Sequence, residues 1–201
     1  MAKRTIRMKQ IVAKISKSPG FKKIMQKKAQ SKFDAAQKAA MSKFNAHPIT
    51  REIEDGPEAS NMSGTLGGYG NLFSFIGFNR GSRPLSEVRK LMALGYKLLK
   101  MPKTQVRGNK IFVSFSVSYP DITEFYKITP TPWGGPSWLF GIENGMSGFG
   151  NYMYGRFGSD NFSSRSGSGL QSEKTKRTPT FRPMEYVSEI LREFRSDLKT
   201  K

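Results

Sequence analysis

A chain of 201 residues has room for one domain with a core of its own and too little for two well-developed ones. Its 34 Lys and Arg against 15 Asp and Glu give a formal net charge of +19, which repels itself in a free compact monomer and favours an acidic or polyanionic partner. The absence of cysteine excludes a disulfide framework and a thiolate metal site, and no apolar run approaches the roughly 20 residues that span a bilayer.

The opening MAKRTIRMK has the basic flank of a secretory signal, but Lys9 and Lys14 break up the apolar stretch such a signal needs. The expectation is a protein made in a reducing cytosol, neither exported nor membrane-embedded. Residues 1–45 carry eleven Lys and two Arg against one acid, Asp34, so this segment alone holds about +12 of the charge. Ser18-Pro19 is a helix-start signal, because the hydroxyl caps free amides and proline suits the first helical position. From there Phe21, Met25, Ala29, Phe33, Ala36, Ala40 and Phe44 recur every three or four residues, predicting a helix of roughly 40 Å that ends near His47-Pro48.

The other face of that helix is lysine, and two readings of it stand side by side. One is a solvated charged face. The other is an arm over nucleic acid or an acidic protein, contacting it through Lys3, Arg4, Arg7, Lys9, Lys14, Lys17, Lys22, Lys23, Lys27 and Lys28. The near absence of acids favours the arm, since solvated helices usually mix signs for i,i+4 support. No base-reading motif is visible, so contact with nucleic acid would ignore sequence.

Next comes an acidic turn, Glu52, Glu54, Asp55 and Glu58 around Gly56-Pro57. It lacks the ligand spacing of a calcium loop, and an acidic patch meeting a basic arm of a neighbouring copy is the better expectation. Gly64, Gly67, Gly68 and Gly70 then precede an apolar run. A phosphate-binding loop would follow a strand, open a helix and carry Lys where Asn71 stands, so these glycines read as a loop passing close to another backbone.

Leu72–Phe78 is apolar on both alternating faces and predicts a strand covered on each side. Pro84 opens a helix whose face is Leu85, Val88, Leu91, Met92, Tyr96 and Leu99. Gly108-Asn109 is a two-residue hairpin turn between strands 104–107 and 110–119, and Ile111, Val113, Phe115 and Val117 alternate with serines along the second. These elements predict an α+β fold, a small antiparallel sheet packed by helices.

Residues 129–162 crowd both tryptophans and many Gly, Tyr and Phe together. Exposed aromatic surface of this kind marks subunit contacts, with Tyr69, Trp133, Trp138, Phe149, Tyr152, Tyr154, Phe157 and Phe162 as candidates, joined by Arg165 and Leu170. The competing reading puts Trp133 and Trp138 in the core. Residues 163–182 read as an extended Gly/Ser-rich arm, and Val187, Ile190, Leu191, Phe194 and Leu198 mark a C-terminal helix. The organisation expected is therefore a basic helical arm (1–47), an α+β core with an aromatic Gly-rich contact region (48–162), the extended arm (163–182) and the terminal helix (183–201).

No catalytic constellation is recognisable. The single histidine, His47, sits before a proline with no nucleophile to serve, Gly167-Ser168-Gly169 is only a degenerate elbow, and no paired carboxylates stand out, so neither an enzyme nor a cofactor or metal site is expected.

The segments His47-Pro48-Ile49-Thr50-Arg51-Glu52, Ser63-Gly64-Thr65-Leu66-Gly67-Gly68-Tyr69-Gly70-Asn71-Leu72-Phe73-Ser74-Phe75-Ile76-Gly77-Phe78, Thr129-Pro130-Thr131-Pro132-Trp133 and Ser163–Gln171 resemble a family of small virion proteins that tailed bacteriophages encode beside their head and tail genes. The resemblance covers most of residues 45–200. It implies a structural neck or tail-completion protein of the virion, made in the host cytoplasm, whose copies form a ring joining the head portal to the tail. Other neck, portal or tail proteins would be its partners, with packaged DNA touched without sequence specificity. The alternative from another class is a basic, sequence-independent nucleic-acid-binding protein acting through residues 1–45.

Overall fold

The structure, a computed structural model, describes residues 8–66, 70–108, 110–132, 134–145 and 181–199. It opens with α1 (Met8–Lys17) and the long α2 (Pro19–Ala46), separated by Ser18, whose side chain accepts a hydrogen bond from the Phe21 amide at 3.2 Å with Pro19 in the first turn. Start, end and apolar stripe of α2 agree with the sequence. Burial, however, divides the stripe: Phe33, Ala36, Ala40 and Phe44 are in the core, while Phe21, Met25 and Ala29 are only half-buried.

His47 ends α2 and starts α3 (Pro48–Glu54), its Nδ1 accepting the Ile49 amide at 3.3 Å, and a short 3-10 turn at Gly56–Glu58 follows. Residues 72–76 correct the expectation of a buried strand, because they form a helix, α4 (Leu72–Ile76). Its ends are fixed locally: Asn71 Oδ1 accepts from the Ser74 amide at 2.8 Å, and Gly77, at φ 83°, closes the C-terminus in a left-handed conformation that side chains disfavour. A short helix buried all round and a strand covered on both faces leave the same apolar pattern in sequence.

Helix α5 (Ser86–Leu94) also ends earlier than its periodicity implied, so Tyr96 and Leu99 lie beyond it. Gly95 is the reason. A Cβ there would stand 2.2 Å from Pro120 Cγ and 2.6 Å from the Leu91 carbonyl, so the chain passes Pro120 where only glycine fits and leaves at once as β1 (Lys97–Arg107). The first strand thus begins at Lys97 rather than Thr104. It pairs antiparallel with β2 (Lys110–Ser118), Arg107 opposite Lys110 across the expected turn at Gly108, and an irregularity between Leu99 and Lys103 breaks the ladder.

Beyond the hairpin come α6 (Ile122–Lys127), opened by a capping box of Asp121 and Glu124, then α7 (Trp138–Asn144), capped by Ser137, and α8 (Val187–Leu198). Val187, Ile190, Leu191 and Phe194 of α8 are buried as the sequence predicted. Phe194 is the junction: its ring meets Phe33 of α2 at 6.2 Å, Tyr96 at 4.5 Å and Tyr119 at 5.9 Å. One core joins the second half of α2 to α3, α4, α5, α7 and α8, with Phe125 of α6, and the architecture is α+β.

Candidate functional site

The lysines of α1 and of the first half of α2 are the largest chemical asymmetry in the molecule. Between Met8 and Phe33 there is no acid, and Lys14, Lys17, Lys22, Lys23, Lys27 and Lys28 are all exposed. Among the described residues none of these six joins an ion pair.

The second half of α2 is different. Lys43 pairs with Glu193, and this hydrogen bond with the nearby carboxylates Asp197 and Glu189 raises the Lys43 pKa above its ordinary value. Glu189, Glu193 and Asp197 recur every four residues along α8, so the terminal helix presents an acidic ladder to the basic one. Among the described residues, charge neutralisation within the chain stops where the core stops.

The same end of the molecule leaves apolar side chains uncovered. Met8 (62% exposed), Ile11 (37%) and Ile15 (45%) lie on one stripe of α1, with Lys14 at its flank and Lys17 on the far side, and Ile24 of α2 is 59% exposed. On the hairpin, which α1 contacts, Leu99, Val106 and Phe112 are exposed as well, with Arg107 over the Phe112 ring at 5.9 Å. Lys3, Arg4 and Arg7, which complete the predicted basic contacts, and the side chain of Lys9 lie outside the described residues.

Several other expectations are corrected. Trp138 was a candidate subunit contact, but it is 2% exposed, packed edge-on to Phe78 at 5.7 Å, because Ser137 starts α7 in an orientation that points the indole into the core. Tyr69, Trp133, Phe149, Tyr152, Tyr154, Phe157, Phe162, Arg165 and Leu170 lie outside the described residues, as does most of the 163–182 arm. Where the chain is described again it is bound to its own core: Phe181 stacks on Phe75 at 5.8 Å, and the Arg182 and Met184 amides donate to the Thr65 and Ile142 carbonyls.

The acidic turn, expected to await a neighbour's basic arm, finds partners within the chain. Glu54 pairs with Arg89, and Glu58 with Arg80 at 2.5 Å. Glu52 is fully buried and accepts the Ser63 amide at 2.8 Å and the Leu72 amide at 2.7 Å, tying the loop to the start of α4. Gly64 and Gly70, expected at a close backbone approach, have open space around them. Their positive φ values, 68° and 69°, are what call for glycine.

Two polar centres went unnoticed in the sequence. Glu143 Oε1 accepts the amides of Tyr186 at 3.2 Å and Ser188 at 2.8 Å, while Oε2 accepts the Tyr126 hydroxyl at 2.7 Å, so one carboxylate caps α8 from a distant helix. Burial, with Glu143 adding to it, pushes the Tyr126 phenol up to about 12. Tyr186 is fully buried, shares a 2.5 Å hydrogen bond with Thr50 and lies between Phe44 at 5.8 Å and His47 at 4.6 Å. Burial raises its pKa and lowers that of His47. Both centres brace the fold.

An open groove of about 720 Å³ runs beside α5, lined by Ile53, Pro84, Leu85 and Leu94 with Arg83 and Arg89. Arg89 is already engaged by Glu54 and Asn45. Among the described residues no group of three His, Asp or Glu stands close enough to hold a metal ion, and no helix is long and apolar enough to cross a membrane. No family model, curated protein or solved structure matches the chain.

Proposed function

We propose that this protein is a structural component of the head-to-tail connection of a tailed bacteriophage, working as one subunit of a ring with neighbouring neck, portal or tail proteins. The resemblance of residues 45–200 supplies the placement. The observation that carries the assembly role is the lobe of α1, the first half of α2 and the hairpin, where acid-free lysine surface adjoins uncovered Met8, Ile11, Ile15 and Ile24. A lone protein gains nothing from such a surface, whereas an assembly covers its apolar stripe and supplies counter-charge. In a ring around a DNA channel the lysines would hold phosphates without reading bases.

The test is co-production of the full chain with the adjoining head and tail proteins, followed by electron microscopy and mass analysis of the particles. The chain should be retained in joined heads and tails, and its omission should leave them separate. A second reading, a sequence-independent nucleic-acid binder, is favoured by the exposed lysines of α1 and of the first half of α2, which join no ion pair among the described residues. A monomer that never enters particles, and that binds any duplex with an affinity falling steeply as salt rises, would replace the phage reading with that one.

A further inference from the structure

The two edges of the hairpin are chemically unequal. β1 contains Pro102, which has no amide to donate, places Lys97 and Lys103 along the strand, and is irregular between Leu99 and Lys103. These are the features by which proteins blunt a strand edge. β2 has none of them: from Ile111 to Ser118 it carries no charge, no proline and no irregularity, and among the described residues its second edge meets no other strand. Every second residue of β2 therefore turns an amide and a carbonyl away from β1, and no described strand receives them.

We infer that this edge is a docking site for the same edge of a second copy, the two β2 strands running antiparallel about a two-fold axis at Ser114. The occupant follows from the side-chain pattern. With Ser114 opposite its own counterpart, Val113 faces Phe115 and Ile111 faces Val117 of the other copy, all on the half-buried apolar face. Phe112, 50% exposed, faces Ser116, and Lys110 faces Ser118, so no like charges oppose despite the net charge of each chain. A one-residue slip would set apolar side chains against serines, and among the registers that keep apolar against apolar the axis at Ser114, the midpoint of Lys110–Ser118, pairs the whole length of both strands. The result is a four-stranded antiparallel sheet with the guarded β1 strands outermost.

A two-fold contact closes on itself and gives dimers. It is thus separate from the ring contact of the virion reading and holds for the free protein whether or not that reading does. Ser114 is exposed, so its replacement leaves the core untouched.

Because the chain has no cysteine, Ser114→Cys introduces one thiol at the axis, where facing Cα atoms lie about 4.5–5.5 Å apart, within disulfide reach. Mild oxidation of the full-length variant should yield a disulfide-linked dimer. Ser118→Cys should yield none, since Ser118 faces Lys110 and stands about 27 Å from its own counterpart at about 3.4 Å per residue. Ser114→Lys and Ser114→Glu, each alone, should weaken the dimer about fivefold by placing like charges face to face, and mixing the two should restore it as a heterodimer. Equal cross-linking at 114 and 118, no cross-linking at 114, or a Ser114→Lys protein as dimeric as the parent overturns the inference. A folding defect is recognised separately, because mixing would not rescue it.

Discussion

Removing the carboxylate of Glu143 tests whether a side chain from α7 holds the start of α8. It accepts three hydrogen bonds, two of them from the amides of Tyr186, the N-cap residue of α8, and Ser188 in its first turn, where no side chain of that segment provides a cap. A hydrogen bond to a charged group contributes about 1.5–3 kcal/mol and the helix dipole about 0.3–1 kcal/mol, but Glu143 is only half-buried and water replaces part of what is lost. Glu143→Ala should therefore cost about 2–4 kcal/mol. Glu143→Gln keeps an acceptor for the amides and loses the charge, so about 1 kcal/mol is expected. At about 2–4 °C per kcal/mol for a chain of this size, the alanine variant should melt roughly 5–15 °C lower. Urea unfolding measures the energy, and hydrogen exchange at the Ser188 amide locates it. A loss below about 1 kcal/mol for Glu143→Ala, or unchanged exchange at Ser188, would refute the remote-cap account.

Phe194→Ala should cost about 3–5 kcal/mol in the same unfolding assay, since the ring fills the space between Phe33, Tyr96 and Tyr119. Glu52→Gln should lower stability by about 1–3 kcal/mol, because one of its two buried amide partners then faces an NH₂ donor, and an unchanged denaturation midpoint would contradict the geometry. The single histidine gives a clean proton resonance whose midpoint should lie below the ordinary 6.5, because burial disfavours the charged ring. A depressed histidine stabilises the fold above its unfolded pKa and loses that contribution as pH falls through the folded one, so His47→Gln should flatten stability against pH in that window. The Tyr126 phenol has the opposite sign. Its contribution is full below about 10 and is lost as pH rises through about 12, and Tyr126→Phe should remove that alkaline step.

What could be read from the sequence was mainly what neighbours along the chain decide. The start of α2 at Ser18-Pro19, its stripe, the turn at Gly108 and the buried face of α8 each rest on contacts within a few residues or on helical period, and these agree with the structure. Leu72–Ile76 was misread because full burial erases periodicity, although Asn71 and Gly77 already carried the cap signals of a helix. The end of α5 depends on Pro120, which the sequence places far away. The polar centres depend on long-range meetings too: Glu143 reaches Tyr186 and Ser188, and Tyr186 reaches Thr50. Composition located the basic lobe, but only the packing of α8 showed that lysine is balanced at one end of α2 and unbalanced at the other.

The tight passage of Gly95 under Pro120 makes the hairpin a cantilever. Its tip at Gly108 stands roughly 30 Å from a root where Lys97 pairs with Ser118, and Tyr119, next along the chain, is held between Phe194 at 5.9 Å and the Arg195 guanidinium at 4.8 Å. Between root and tip the ladder is broken between Leu99 and Lys103, close to the clamp. A force applied at the tip reaches that root through the paired strands and bears on Phe194 of α8, whose ring packs on Phe33 of α2, so whatever grips the hairpin also pulls on the seam between α2 and α8.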